Sequence, residues 1–365
     1  MSAGSQSDFT AQTTAENVPR IARAKPFYHE LEPGRAYVWC ACGLSASQPF
    51  CDGSHRGTGI EPVRYRCGGE AEEVLFCGCK RTGDAPFCDG THNNLLGGYE
   101  EDDPQSAENR AIALVARSAD GKARLDGGCF VAHIDDLECT SIGGLRVSRV
   151  ICAHDGAIWQ SHFRIKAPAG TSPVLGFGDR HTLFLITSGA GVIQIGGRSF
   201  EVAPEMGIYA RPGEPWRTQS AQGLTMNAAV SPLADWPELV GGDPCSFDPR
   251  FPERRAVIDP ARRNAMGERF FQILVDASVG SDLATQFIGE VPLSKAAPHR
   301  HLYEESLIVL RGHGMMWTET CKAEVGTGDV IFLPRKQSHS LQCTDPGGMM
   351  LAGVIYPGNN PSISY

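Results

Sequence analysis

Pro298-His299-Arg300-His301-Leu302-Tyr303-Glu304-Glu305-Ser306-Leu307-Ile308-Val309-Leu310-Arg311-Gly312 decides the fold, read with Gly328-Asp329-Val330-Ile331-Phe332-Leu333-Pro334-Arg335-Lys336-Gln337-Ser338-His339 further on. An extended chain points successive side chains to opposite faces. His299, His301 and Glu305 therefore share a face, and Glu304 takes the other. A neighbouring strand can carry His339 to the same point. Three imidazoles and a carboxylate suit Fe(II), Mn(II), Ni(II) or Zn(II). A lone His-x-His is often an exposed pair beside a turn. Glu305, Gly312, Gly328, Pro334 and His339 at their offsets favour a metal site instead.

Around this run the texture is that of short strands. Leu183–Thr187, Gly191–Ile195, Ser306–Leu310 and Val330–Leu333 alternate with Gly, Pro and Asp turns, the pattern of an all-β barrel or sandwich. One short helix is expected near Pro232–Val240. The decisive run also has an earlier copy. Leu183-Phe-Leu-Ile-Thr-Ser-Gly-Ala-Gly191 parallels Ser306-Leu-Ile-Val-Leu-Arg-Gly-His-Gly314, and Gly207-Ile-Tyr-Ala-Arg-Pro212 parallels Asp329-Val-Ile-Phe-Leu-Pro334. In that copy Gly176, Gly178 and Thr182 stand where His299, His301 and Glu305 do, and Arg217 stands opposite His339. Such groups hold no metal. His154, His162 and His181 fall out of register and read as structural.

Together the two segments resemble the cupin family, whose motifs are H-x-H-x3-E-x6-G and G-x5-P-x4-H. The first runs through His299, His301, Glu305 and Gly312, and the second through Gly328, Pro334 and His339. Three positions depart: Lys336 and Ser294 replace glycines, and Cys343 replaces an asparagine. The resemblance implies a mainly β fold with two cupin (double-stranded β-helix, jelly-roll) barrels. A degenerate barrel without metal is expected at 136–240 and a metal-binding barrel at 241–365. It implies His299, His301, Glu305 and His339 as ligands of one mononuclear metal, with Fe(II) preferred over Mn or Ni. Glu305 and Tyr303 are the candidate catalytic residues. Arg335, Lys336 and Trp317 are near in sequence and available to substrate, while His313 reads as a turn residue.

A second repeat precedes the barrels. Cys40-Ala-Cys42-Gly-Leu-Ser45-Ala-Ser-Gln-Pro49-Phe-Cys51-Asp52-Gly53-Ser54-His55 returns as Cys77-Gly-Cys79-Lys-Arg-Thr82-Gly-Asp-Ala-Pro86-Phe-Cys88-Asp89-Gly90-Thr91-His92. Thiolates hold iron–sulfur clusters, and an imidazole in place of a thiolate raises the potential. The Asp-Gly pair makes a turn in which glycine tolerates positive φ. Three cysteines and a histidine would also suit zinc, but zinc sites favour C-x2-C spacing. The pattern resembles the CDGSH iron–sulfur (mitoNEET-like) family, here in tandem over about residues 30–95. The resemblance implies two [2Fe–2S] clusters. One is held by Cys40, Cys42, Cys51 and His55, and the other by Cys77, Cys79, Cys88 and His92. Cys67 lies outside both motifs and reads as a buried thiol.

Bulk properties frame these readings. The net charge is −9 with no long basic run, which argues against nucleic acid and anionic membranes as partners. The first twenty residues lack an apolar leader, and no apolar stretch reaches the roughly 18 residues of a bilayer span, so a cytoplasmic location is expected. Seven of the thirteen cysteines fall between Cys40 and Cys88, a distribution that suggests ligands rather than disulfides. The expected organisation is a disordered tail at 1–25, the tandem CDGSH domain at 26–98 and a linker with lead-in strands at 99–135, then the two barrels. The functional expectation is a non-haem iron-dependent oxygenase, a dioxygenase of a small polar metabolite such as a thiol amino acid. Its partners would be that substrate, O2 and a reductase or ferredoxin as electron donor, with a homodimer as the expected assembly. The clusters would supply electrons or keep the iron ferrous. The competing readings are a redox-sensing binding protein and a non-redox Mn cupin isomerase or decarboxylase.

Overall fold

The computed structural model describes residues 18–241, 246–358 and 360–365. The chain divides into two compact units, one ending at Thr91 and the other beginning at His92. The tail expected at 1–25 lies outside the described residues up to position 17. Its last residues are not disordered. The Arg20 amide donates to Cys42 O (2.9 Å), and the Ala22 and Arg23 amides donate to Gly78 O (3.2 and 3.1 Å).

The first unit is built twice over. Phe27–Leu31 pairs antiparallel with Glu72–Phe76, and Ala36–Trp39 with Val63–Arg66. Each cysteine motif leaves its strand and folds back on it. Cys40 N donates to Pro49 O and Cys51 N to Val38 O, both at 2.8 Å; Cys77 N donates to Pro86 O (2.9 Å) and Cys88 N to Leu75 O (2.8 Å). Phe50, Phe76 and Phe87 pack between the copies, with ring centroids 5.5 and 5.7 Å apart.

The second unit contains two β barrels whose strand orders match. In the larger sheet of the first, Gly207–Ala210, His181–Gly189, Leu224–Ser231, Ser161–Ala167, Leu145–Ile151 and Thr140–Ile142 lie side by side. In the second the order is Asp329–Leu333, Glu304–Arg311, Met349–Tyr356, Thr285–Val291, Arg269–Val275 and Asn264–Met266. Smaller sheets, centred on Gly191–Ile195 and His313–Trp317, close each barrel. The alternating pattern of the sequence puts Leu307, Val309 and Ile331 inside the second barrel and Ile308, Val330 and Phe332 on the layer between barrels.

The barrels exchange edges. Phe130–His133, which precedes the first barrel, pairs with Asp329–Phe332 of the second. Arg255–Ala256, which precedes the second, pairs with Gly207–Ile208 of the first. The segment at 99–135 is thus part of a barrel sheet as well as a connection. The helix expected near Pro232–Val240 does not form. Pro232 and Pro237 lack the amide hydrogens a helix needs, and Glu238–Leu239 instead pairs with Leu175–Gly176. The helix present, Ala107–Ala111, is capped by Ser106, whose side chain accepts from Asn109 N. No described helix is long and apolar enough to cross a membrane.

A small cavity of about 10 Å³ lies in the layer between the barrels, lined by His162, Asn227, Gln286 and Ser306 among aliphatic side chains. Both ring nitrogens of His162 are buried there without a hydrogen-bond partner. Burial pushes this imidazole down to about 4, against about 6.5 when unfolded. The unfolded chain therefore binds the proton first, and stability is lost as pH falls from 6.5 towards 4. Denaturant titrations at pH 7 and pH 4.5 should show His162→Leu losing roughly 2–3 kcal/mol less than the unmodified chain. Equal losses would remove His162 from the account.

Candidate metal centres

In the second barrel, an antiparallel bridge joins His299 to His339: each amide donates to the other's carbonyl, at 3.0 and 3.1 Å. The two rings lie 4.6 Å apart, and those of His301 and His339 lie 4.8 Å apart. Each Nδ1 faces a backbone carbonyl: His299 that of Ala297 (3.0 Å), His301 that of Tyr303 (2.9 Å) and His339 that of Gln337 (2.8 Å). A carbonyl only accepts, so Nδ1 carries the proton and Nε2 keeps its lone pair for a metal. His301 Nε2 is a buried atom without a satisfied hydrogen bond, and it lies 3.0 Å from Glu305 Oε2. Ligand atoms of His301, Glu305 and His339 all fall within 4.8 Å of one another, the one such set of three among the described residues. Burial and the neighbouring His299 and His301 hold the His339 imidazole well below its usual range. These donors fit a divalent cation.

The glycine that the second motif lacks is replaced in conformation. Lys336 takes φ +64°, and its amide donates to His301 O (2.9 Å). The loop therefore keeps its shape at the cost of strain. Tyr303 is buried and stacked on His301 (4.1 Å, 14°), with its hydroxyl donating to Pro361 O (3.0 Å). Arg335 Nε donates to Leu302 O, and Trp317 Nε1 to Gln342 Oε1. Leu307, Leu333, Leu341 and Ile355 form apolar walls around the barrel's interior.

The first barrel offers no such group. Gly176 and Gly178 carry no side chain, and Arg217 Nε donates to Gln194 Oε1 (2.6 Å). The interior is filled by Trp216, fully buried and edge-to-face on Phe184 at 5.1 Å. His181 Nδ1 lies 2.7 Å from the Tyr209 hydroxyl, in a structural contact.

The cysteine motifs present their donors in pairs. Cys40 and Cys42 Sγ are 3.7 Å apart, and Cys51 Sγ lies 3.1 Å from His55 Nδ1. Cys77 and Cys79 Sγ are 3.5 Å apart. His92 is buried in the turn Thr91–Asn94. His55 Nε2 points outward, 3.7 Å from Glu61. Pairs of donors, rather than one convergent foursome, suit a group containing two metal ions. Burial pushes the Cys88 thiol up to about 12, so a thiolate there needs a metal to hold it. Cys67 is buried, with its thiol on Glu70 O (3.2 Å).

The recurring aspartates do more than turn the chain. Asp52 accepts from Ala46 N and Ser54 N (both 2.9 Å), and Asp89 from Gly83 N (2.8 Å) and Thr91 N (3.0 Å). Ser45 and Thr82 each accept the amide two residues on, at 3.0 Å. These four side chains fasten the ligand loops. The recurrence of hydroxyl and aspartate at fixed offsets was the available signal. Lys80 was not singled out by any spacing. It is buried, and burial pushes its ammonium down to about 8, against the pull of the Cys40, Cys77, Cys79 and Cys42 thiolates.

Matching barrels and a single histidine-rich centre define a metal-site bicupin. The comparisons agree with both parts of the chain. Residues 10–56 match the family described as iron-binding zinc finger, CDGSH type, and residues 291–355 match the cupin domain family. CDGSH iron-sulfur domain-containing protein 3, mitochondrial, of Mus musculus is 46% identical over 50 residues, 13% of this chain and 36% of that protein. Its Homo sapiens counterpart is 44% identical over 57 residues, 15% and 43%. The chain thus spans about two fifths of the length of the curated relatives it matches. Among solved structures, oxalate decarboxylase of Lactobacillus farciminis as a formate complex is similar with TM-score 0.49 and 13% identity, over 63% of this chain and 87% of that one. Protein Ylba of E. coli gives TM-score 0.49 and 14% identity, over 66% and 96%. The CDGSH-type match thus falls on the first cysteine motif and the cupin match on the second of the two barrels.

Proposed function

We propose that the chain is a non-haem iron-dependent oxygenase of a small polar metabolite, with two [2Fe–2S] clusters on its cysteine motifs supplying electrons or keeping the iron ferrous. The observation that carries the reading is the convergence of the His301, Glu305 and His339 ligand atoms within 4.8 Å of one another, with the Nδ1-fixed ring of His299 lying 4.6 Å from that of His339. Fe(II) held by His299, His301, Glu305 and His339 would supply open coordination positions and one-electron chemistry. The protein's part is positioning and exclusion of water. The carbonyls of Ala297, Tyr303 and Gln337 lock the imidazoles, and the Tyr303 ring braces His301. With its hydroxyl on Pro361 O, Tyr303 is better suited to bracing than to proton transfer. The apolar walls formed by Leu307, Leu333, Leu341 and Ile355 keep water from these donors.

The cluster reading rests on the duplicated donor geometry, with Cys40, Cys42, Cys51 and His55 in one set and Cys77, Cys79, Cys88 and His92 in the other. A dioxygenase takes its electrons from the substrate, so the clusters would then return oxidised iron to Fe(II). A monooxygenase would draw on them at each turnover, from a reductase or ferredoxin. Iron-loaded protein should consume oxygen with at least one member of a thiol, enediol and catechol panel, and manganese-loaded protein should not. Silence with the whole panel, or equal turnover with manganese, contradicts the proposal.

A further inference from the structure

We propose that Lys80 is a shared electrostatic partner of both cluster sites, raising the reduction potentials of the two together. This rests on the two-cluster reading above.

Lys80 directly follows the ligand Cys79, yet its head group is turned toward the other copy. Its Nζ donates to Cys77 O (3.0 Å) and sits 4.5 Å from the ring of Trp39, the residue before Cys40. Trp39 Nε1 donates to the same Cys77 carbonyl at 3.0 Å. One carbonyl thus ties the strand leading into the first motif to the ammonium of the second. The side chain is 5% exposed. No carboxylate pairs with it among the described residues. The acidic groups that act on it are the thiols of Cys40 and Cys42 in one copy and of Cys77 and Cys79 in the other.

A buried ammonium without a counter-charge is costly. Two anionic clusters would supply that charge. The backbone shows that the arrangement is held despite strain. Lys80 has φ +61°, and its counterpart in the first copy is Gly43 at φ +79°. The turn after the second cysteine therefore calls for glycine. In the first copy a Cβ at Gly43 would lie 1.8 Å from Arg20 O, so only the second copy has room for a side chain. It carries a lysine there, in a conformation disfavoured for any residue with a Cβ. A positive charge near a cluster favours the added electron. Lys80 consequently biases both clusters toward reduction.

The test is a redox titration of the full chain, followed by the EPR signals of the reduced clusters, in unmodified protein, Lys80→Gly, Lys80→Met and Lys80→Arg. His55→Cys and His92→Cys assign the two signals. Iron and sulfide counts come first: if the unmodified chain holds one cluster, the two-cluster reading fails independently of Lys80. Given two, the expected result is a roughly tenfold or greater weakening of reduction at both clusters in the glycine and methionine variants, a shift of about 59 mV or more for one electron. Lys80→Arg should stay near the unmodified value. A shift confined to the second cluster, or no shift, overturns the proposal. If the neutral variants fail to load, loss of both clusters with retention in Lys80→Arg supports it, and loss of one overturns it.

Discussion

His301→Ala should leave the second barrel unable to retain its mononuclear metal, with affinity reduced at least about 100-fold, while the cluster content stays at its unmodified level. Loss of an outer-shell partner alone typically costs 10–100-fold in affinity, and His301 is placed as an inner ligand. Its Nε2 is the buried atom left without a hydrogen bond, 3.0 Å from Glu305. Removing it also removes the surface on which Tyr303 stacks. Metal analysis of anaerobically purified variant protein checks the loss, and the visible spectrum checks the clusters. Oxygen uptake should disappear with the metal. A variant that keeps its mononuclear metal would show that His301 is a packing residue.

Glu304→Ala should destabilise the second unit strongly. Glu304 sits one residue before the ligand Glu305 but faces the opposite way, out of its own barrel. Its carboxylate accepts three amides of the first barrel: Ile158 (2.7 Å), Trp159 (2.9 Å) and Gln160 (3.1 Å). It is 1% exposed. Alanine leaves three buried donors unpaired, at roughly 3–5 kcal/mol in all. Glu304→Gln keeps one acceptor oxygen and should lose about half as much. The denaturant midpoint measures both. A loss below about 1 kcal/mol for the alanine variant would mean that water replaces the carboxylate, and that this contact does not hold the barrels together.

The adjacent pair Glu304 and Glu305 shows what could be read from the chain. Alternation alone sends Glu305 to the histidines and Glu304 away from them, and the structure agrees. The ligand spacings and both internal repeats were also visible, because local periodicity and repetition are properties of the sequence itself. What Glu304 meets was not visible, since its partners are backbone amides from a different barrel. The exchanged edges were hidden for the same reason. Nothing in Phe130–His133 marks Asp329–Phe332 as its neighbour, some two hundred positions away. The expected helix near Pro232–Val240 failed because its prolines and a long-range pairing outweighed an ambiguous local signal. Lys80 was passed over because a lysine after a cysteine looks like a solvated charge until its burial against Trp39 is seen.

The number of metal centres in the chain and their contents are directly countable. Iron, labile sulfide, manganese, nickel and zinc should be counted in anaerobically purified full-length protein, with the spectrum recorded before and after reduction. Two [2Fe–2S] clusters and one ferrous ion predict about five irons and four sulfides per chain, with both cluster signals appearing on reduction. Zinc in the cysteine motifs, or only two irons with two sulfides, would contradict the two-cluster claim. Five irons that consume no oxygen with any substrate class tested would leave the metal centres standing and remove the oxygenase.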